Sequence, residues 1–387
     1  MIPPPLALYL HIPFCTRKCP YCDFYSRAGI TPEKETAYID ALLRELFHWR
    51  QHLQTDPRPL GSVFFGGGTP SLLSVASITR ILNTIRTLWP LAPEAEITLE
   101  ANPDSATQQR LEGYRAAGVN RLSLGVQAFD HKRLHLLGRI HSVEAARQAL
   151  RAARAAGFDN LGLDLIYATP GHTLAAWQEE LAEAMSWNPE HISCYTLTLE
   201  PDTPFARQHA QTLPEEEIAL ELFQATRGIL AEQGWPPYEI SNFAKPGRHC
   251  RHNSNYWTFG DYLGVGAAAH GKLTRLDTPT PQVYRTGNPA DIAAYVNALR
   301  PGSPSPIRET FQTRDETAAD ALIMGLRQEI GLERPLYQWI KGIDIVTEKS
   351  RQLDPLRAAG WIDHTPERLF LTPRGVVLAD TILASLL

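Results

Sequence analysis

Three cysteines, Cys15, Cys19 and Cys22, stand in C-x3-C-x2-C spacing within "CTRKCPYC" near the start of a 387-residue chain. Thiolates are soft ligands that select zinc, copper(I) or iron–sulfur clusters. Three readings of the triplet compete. In the first, the three are buried free thiols that fell close together. In the second, they hold zinc, with a fourth ligand drawn from far along the chain: His11, Cys194, His249, Cys250 or His252. Structural zinc sites usually pair C-x2-C or C-x4-C with a second, distant pair, so this triplet is not their common spacing. In the third, they bind three irons of a [4Fe–4S] cluster and leave the fourth iron open for a small chelating ligand.

Further polar or special residues follow short apolar runs. "FFGGGTPSLL" brings Gly66, Gly67, Gly68 and Thr69, and bare glycines let backbone N–H groups approach a charged ligand. A nucleotide phosphate loop is disfavoured because no G-K-[ST] follows. A plain strand-to-helix turn is the bland reading. Glu100 ends "ITLE", Gln127 ends "LSLGVQ", and Asp164 lies in "LGLDLIY". Taken singly, Asp164 reads as a helix cap or core hydrogen-bonder and Arg139 as a surface ion pair.

These residues need strands to present them. Leu6, Leu8, Leu10 and Ile12 alternate as a strand does, and runs at 62–66, 96–101, 121–126, 161–167 and 191–199 follow. Helices fit between. Thr31 caps one with Pro32 at its first position. Ser105 and Gln108 suggest a capping box for another that ends near Gly118. Segments 142–156 and 173–186 supply two more. Strands alternating with helices mean βαβ units and a parallel sheet. Special residues at the C-terminal ends of six strands predict a six-unit barrel, TIM-like but incompletely closed.

From about residue 214 the pattern changes to a helix, then to the polar-aromatic segment "HCRHNSNYWTFGDYLGVGAAAHGK". A helix over 315–330 and a helix–hairpin tail predict a smaller α+β unit with a winged-helix-like end at about 315–387. The domain expectation is 1–235 for the barrel and 236–387 for the rest.

The chain resembles a known family. The cysteine triplet is similar to the signature of the radical S-adenosylmethionine (SAM) superfamily, in which the open iron takes the amino and carboxylate groups of SAM. "YLHIPFCTRKCPYC" resembles the opening of the HemN/HemW branch, which includes oxygen-independent coproporphyrinogen III oxidase. The resemblance implies SAM contacts from Tyr9, Tyr21, the Gly66–Gly67–Gly68–Thr69 segment, Glu100 on the ribose, and Gln127, Arg139 and Asp164. Part of these would serve a second SAM molecule. The oxidase pattern continues to a further cysteine where this chain has Phe24. The HemW-type heme chaperones lack that cysteine and carry H-N-x-x-Y-W, spelled here by His252, Asn253, Ser254, Asn255, Tyr256 and Trp257. That motif implies heme binding at His252, Asn253, Tyr256 and Trp257. An imidazole can ligate heme iron, and Cys250 offers a thiolate. A satisfied structural histidine beside two core aromatics is the competing view.

The resulting expectation is a heme chaperone that hands heme to acceptor proteins and carries a [4Fe–4S] cluster and SAM. The other function class is a radical SAM oxidase that decarboxylates the propionates of coproporphyrinogen III. A zinc-stabilised βα protein is the third. A net charge of −5 excludes a general nucleic-acid binder. No apolar run is long enough to span a membrane. "MIPPPLALYLHIP" lacks the marks of a signal peptide. Three of five cysteines in one short stretch suit a reducing compartment, hence the cytoplasm. A homodimer and peripheral membrane contact stay open.

Overall fold

The computed structural model describes residues 5–275, 282–300, 302–303 and 307–387, so the first four residues of the opening segment lie outside it. Six strands form the frame: β1 (Leu6–Ile12), β2 (Leu60–Gly67), β3 (Leu91–Ala101), β4 (Arg121–Gln127), β5 (Leu161–Tyr167) and β6 (His191–Thr196). Each pairs in parallel with the next. Between them run helices α1 (Pro32–His52), α2 (Val75–Leu88), α3 (Gln108–Ala117), α4 (His131–Leu136), α5 (Val143–Ala155) and α6 (Leu174–Ser186).

Successive side chains of a strand point to opposite faces, and here the two faces differ in chemistry. Leu8, Leu10, Val63, Phe65, Ile97, Leu99, Leu122, Leu124, Leu163 and Leu165 join the main core. The residues between them, Tyr9, Phe64, Glu100, Ser123, Asp164 and Ser193, line the interior space. One strand thus serves both purposes: its apolar set anchors the frame and its polar set is presented inward.

Local signals set several boundaries. Thr31 caps α1 by accepting from the Lys34 N–H, with Pro32 in the first turn. The capping box expected at Ser105 and Gln108 does not form. Thr107 caps α3 instead, because the Ser105 hydroxyl is hydrogen-bonded 2.6 Å from that of Ser71. A buried tertiary partner outcompetes the local cap. Gly118 closes α3 in the left-handed region, at φ 114°.

After β6 come α7 (Pro204–His209) and α8 (Glu216–Glu232). Strand β7 (Asn242–Ala244) then pairs antiparallel with β6. Beyond α9 (Arg251–Trp257), strand β8 (Asp261–Val265) returns to the opposite side and pairs in parallel with β1. Strands β9 (His270–Arg275), β10 (Gln282–Gly287) and β11 (Arg308–Phe311) extend that side as an antiparallel run, with α10 (Ile292–Ala298) between the last two. The strand order is β11-β10-β9-β8-β1-β2-β3-β4-β5-β6-β7. The ends do not meet, so this is the expected incomplete (β/α)6 barrel. Strands from both sides of residue 235 share this one sheet.

A second core gathers Ala318 to Leu386, joined by Phe259 and Val283. It lies under α11 (Arg314–Leu326) and a small antiparallel sheet of β12 (Leu332–Glu333), β13 (Ile362–His364) and β14 (Arg368–Leu371). A helix over Ser350–Ala358 followed by the β13–β14 hairpin gives the winged-helix-like end.

Candidate functional site: a cysteine-lined cavity and an aromatic crevice

The C-terminal ends of the six strands open onto a cavity of about 490 Å³. The chain leaving β1 enters it as a loop whose ends are pinned together. Phe14–Cys15 pairs in parallel with Arg27–Ala28, and His11 Nε2 lies 2.9 Å from the Tyr25 carbonyl oxygen. Cys15, Cys19 and Cys22 all line the cavity, half-buried. Among the described residues, no three His, Cys, Asp or Glu side chains converge tightly enough to chelate a single ion. The other two cysteines are buried elsewhere. Cys194 belongs to β6. The Cys250 thiol donates to Glu96 at 3.4 Å, and burial pushes its pKa up to about 12. Three thiols line one cavity, and neither of the other two cysteines lines it, a donor set that fits a cluster with one iron left open.

A hydrogen-bonded chain crosses the cavity and ties the cysteine loop to three strands. Arg139 donates to Cys19 Sγ at 3.6 Å and, from its other amino group, to Asn102 Oδ1 at 2.7 Å and the Gly125 carbonyl at 3.0 Å. Asn102 Nδ2 donates to Thr69 Oγ1 at 3.0 Å, and Thr69 Oγ1 reaches Cys15 Sγ at 3.7 Å. Gly125 makes this convergence possible. A Cβ there would stand 2.9 Å from Gln127 Nε2 and 3.0 Å from Asn102 Oδ1. Next to it the register of β4 against β5 shifts, and Gln127 adopts φ 68°. A bulge and a left-handed non-glycine residue re-aim this side chain into the cavity.

Two carboxylates face the same space. Glu100 Oε2 accepts from the Gly67 N–H at 3.2 Å. The Ser123 hydroxyl lies 3.1 Å and 3.3 Å from the two oxygens of Asp164. Burial first, and the neighbouring Asp164 charge second, raise Glu100 to about 8. Burial raises Asp164 as well. Two neighbouring carboxyls offer acceptor oxygens for hydroxyl donors, and donors that reach Glu100 would favour its ionised form.

The glycine run works differently from the sequence expectation. The N–H groups of Gly67, Gly68 and Thr69 donate to Glu100, Ile12 and Phe14, so these donors are already engaged. The glycines are needed for close approach. A Cβ on Gly67, at φ 111°, would lie 2.6 Å from the His11 ring, and one on Gly68 would lie 2.6 Å from the Phe14 carbonyl oxygen.

Of the expected SAM residues, Tyr21, Gly67, Gly68, Thr69, Glu100, Gln127, Arg139 and Asp164 line this cavity with the cysteines. Tyr9 stands behind it, hydrogen-bonded to His11 Nδ1 at 3.0 Å. A Cβ on Gly66 would lie 2.9 Å from the Tyr9 ring.

The H-N-x-x-Y-W motif forms α9. A deeper space of about 220 Å³ is lined by His252, Asn253 and Tyr256 together with Glu100 and Asp164. His252 is 1% exposed. Its Nδ1 lies 2.8 Å from the Ser62 hydroxyl and its Nε2 lies 2.7 Å from the Tyr256 hydroxyl. The ring stacks on Phe64 at 4.9 Å between centroids. Burial, reinforced by the Arg121 charge, lowers its pKa to about 3. Neither nitrogen is free for iron in this arrangement. Tyr256 also borders, together with Trp257, a second crevice of about 510 Å³, whose lining includes Phe24 and Tyr25 of the cysteine loop. Phe24 is 69% exposed and lines all three spaces.

Sequence reasoning did not single out Asn102, Ser123 or Gly125. Asn102 and Ser123 carried a signal: each falls in or beside a strand whose alternate residues point inward.

The fold and the cysteine-lined cavity define a radical SAM protein. Residues 9–184 match the radical SAM superfamily, and residues 312–378 match the HemN C-terminal domain. The chain belongs to the HemW family. It is 42% identical to "Heme chaperone HemW" of Escherichia coli (strain K12) over 288 residues, covering 74% of this chain and 75% of that protein. It is 33% identical to the "Heme chaperone HemW" of Synechocystis sp., covering 99% and 96%. Among solved structures, coproporphyrinogen III oxidase (HemN) from Escherichia coli superposes with a TM-score of 0.82 at 25% identity, over 99% of this chain and 90% of that one. No helix among the described residues is long and apolar enough to cross a membrane.

Proposed function

We propose that this chain is a cytoplasmic heme chaperone, which binds heme and passes it to acceptor proteins. Cys15, Cys19 and Cys22 would hold a [4Fe–4S] cluster. Such a cluster supplies an open iron for the amino and carboxylate groups of SAM and an electron for its cleavage. The chain's own residues do the rest. Glu100 accepts from the ribose hydroxyls. Gln127, Arg139 and Asp164 surround the remainder of the ligand, Tyr21 and the Gly66–Thr69 segment close its sides, and Tyr9 backs the wall. Tyr256 and Trp257 give heme aromatic faces, and His252 holds the Tyr256 hydroxyl at 2.7 Å, with Asn253 beside it in the lining of the deeper space.

The observation that carries this reading is the aromatic crevice beside the cysteine loop, in a chain of the HemW family. It is tested by titrating hemin into anaerobically reconstituted protein and assaying coproporphyrinogen III in parallel. Near-stoichiometric hemin uptake without protoporphyrinogen is expected. Efficient conversion of coproporphyrinogen III would overturn it in favour of an oxidase. That second reading is favoured by the likeness to HemN and by Gln127, Arg139 and Asp164 meeting in one cavity. Phe24, standing where the oxidase pattern has a cysteine, argues against it.

A further inference from the structure

The crevice of about 510 Å³ lies where the cysteine loop, α9, strands β8 to β10 and α11 meet. Its size and aromatic walls suit a flat ligand of several rings. An iron porphyrin also needs a donor atom with a free lone pair. Two histidines line this crevice, His11 and His270, and His252 lines the deeper space beside it. His11 and His252 are saturated. His11 is held by Tyr9 and the Tyr25 carbonyl, and His252 by Ser62 and Tyr256.

The third is His270. It lines the crevice, is exposed, and makes no side-chain hydrogen bond to the described residues. Its place is fixed from below. The β8–β9 turn carries Gly266 at φ 108° and Ala268 at φ 61°. That costly backbone is held by buried partners: the Gly266 N–H donates to Glu45 at 2.9 Å and the Ala267 N–H to the Tyr38 hydroxyl at 2.9 Å. Directly across the ladder, His270 pairs with Gly287. A Cβ on Gly287 would come within 3.2 Å of His270 Nδ1, so the glycine leaves the imidazole its room.

Other crevice groups divide clearly. Lys272 is buried and engaged by Asp261 at 2.8 Å. Arg285 is half-buried at the rim, paired with Asp320 and 3.2 Å from the Tyr262 hydroxyl. A guanidinium there suits a porphyrin carboxylate.

We propose that His270 is the iron ligand for heme in this crevice, with Tyr256 and Trp257 as its walls and Arg285 at its carboxylate edge. The inference rests on the heme reading above. The step is coordination alone: a neutral imidazole nitrogen donates its lone pair to the iron, and no electron is transferred.

The test uses the full chain with its reconstituted cluster and hemin as the probe, followed by the Soret band. Wild-type protein gives an imidazole-ligated spectrum. His270→Ala is expected to bind at least tenfold more weakly with a displaced Soret band, and added imidazole restores the band. His270→Tyr gives a phenolate-type spectrum instead. Because His270 is exposed, its variants keep the wild-type circular dichroism and melting temperature. If wild-type protein takes up no hemin, the heme reading itself fails. If wild type binds hemin and His270→Ala matches it in affinity and spectrum, the ligand assignment is wrong while the heme reading stands.

Discussion

His252→Ala should unfold the joint between α9 and the barrel rather than remove a surface ligand. The ring is buried against Phe64 and edge-on to Tyr256, 4.8 Å between centroids. Truncating a buried aromatic ring to alanine costs about 3–5 kcal/mol. The Ser62 and Tyr256 hydroxyls also lose their partners, at about 1–3 kcal/mol for each group left unsatisfied. These terms overlap, so a loss of about 4–6 kcal/mol is expected, a large share of a typical domain's stability. His252→Phe keeps an aromatic ring, slightly larger, and loses the hydrogen bonds, so it should lose about 2–3 kcal/mol. A pH arm isolates the imidazole. Its folded pKa of about 3 lies below the unfolded value of about 6.5. The neutral ring therefore stabilises the fold fully above pH 6.5, and that contribution drains away as pH falls toward 3. Between pH 6.5 and 5 the loss is about 2 kcal/mol, and it vanishes in His252→Phe. Urea unfolding at both pH values, with and without the substitutions, measures all of this. If His252→Ala unfolded within about 1 kcal/mol of wild type yet lost hemin, the bracing argument would be refuted and His252 would act on the ligand directly.

Cys15→Ser, Cys19→Ser and Cys22→Ser should each abolish stoichiometric iron and sulfide after anaerobic reconstitution, whereas Cys194→Ser should retain about four irons per chain; elemental analysis reads both. Gly125→Ala should weaken SAM binding about tenfold, roughly the 1.4 kcal/mol of one displaced contact, without losing iron, because its Cβ intrudes on Gln127 and Asn102; calorimetric titration checks it. Glu100 holds its proton below about 8. Ribose hydroxyls that donate to it favour the carboxylate, so SAM affinity should rise from pH 6 to 8, and Glu100→Gln should flatten that profile.

The barrel was legible because its signals are local. Alternating leucines in β1, the Thr31–Pro32 cap and Gly118 each fix a boundary within a few residues. The cysteine cavity was legible because strand ends converge in any such barrel. What escaped was set by partners far apart in sequence. Asn102 meets Arg139 and Thr69 only after three strands assemble. The fate of His252 depends on Ser62, 190 positions away. A histidine beside two aromatics looks the same on paper whether its nitrogens are free or bound. The Ser105 cap failed for the same reason: its better partner, Ser71, is invisible to local pattern.

The pairing of β1 has a consequence for synthesis on the ribosome. Its neighbours are β2, made soon afterwards, and β8, made only at residues 261–265. Until then the first strand presents an open, parallel-pairing edge, with Leu6, Leu8 and Leu10 belonging to a core that is not yet complete. Such late, non-local closure is slow and leaves a strand edge available to other chains. The nascent barrel therefore cannot finish as an independent piece. A truncation that stops after β6 would release an aggregation-prone fragment, and cofactor loading should wait until residues 261–265 have emerged, about two thirds of the way along the chain.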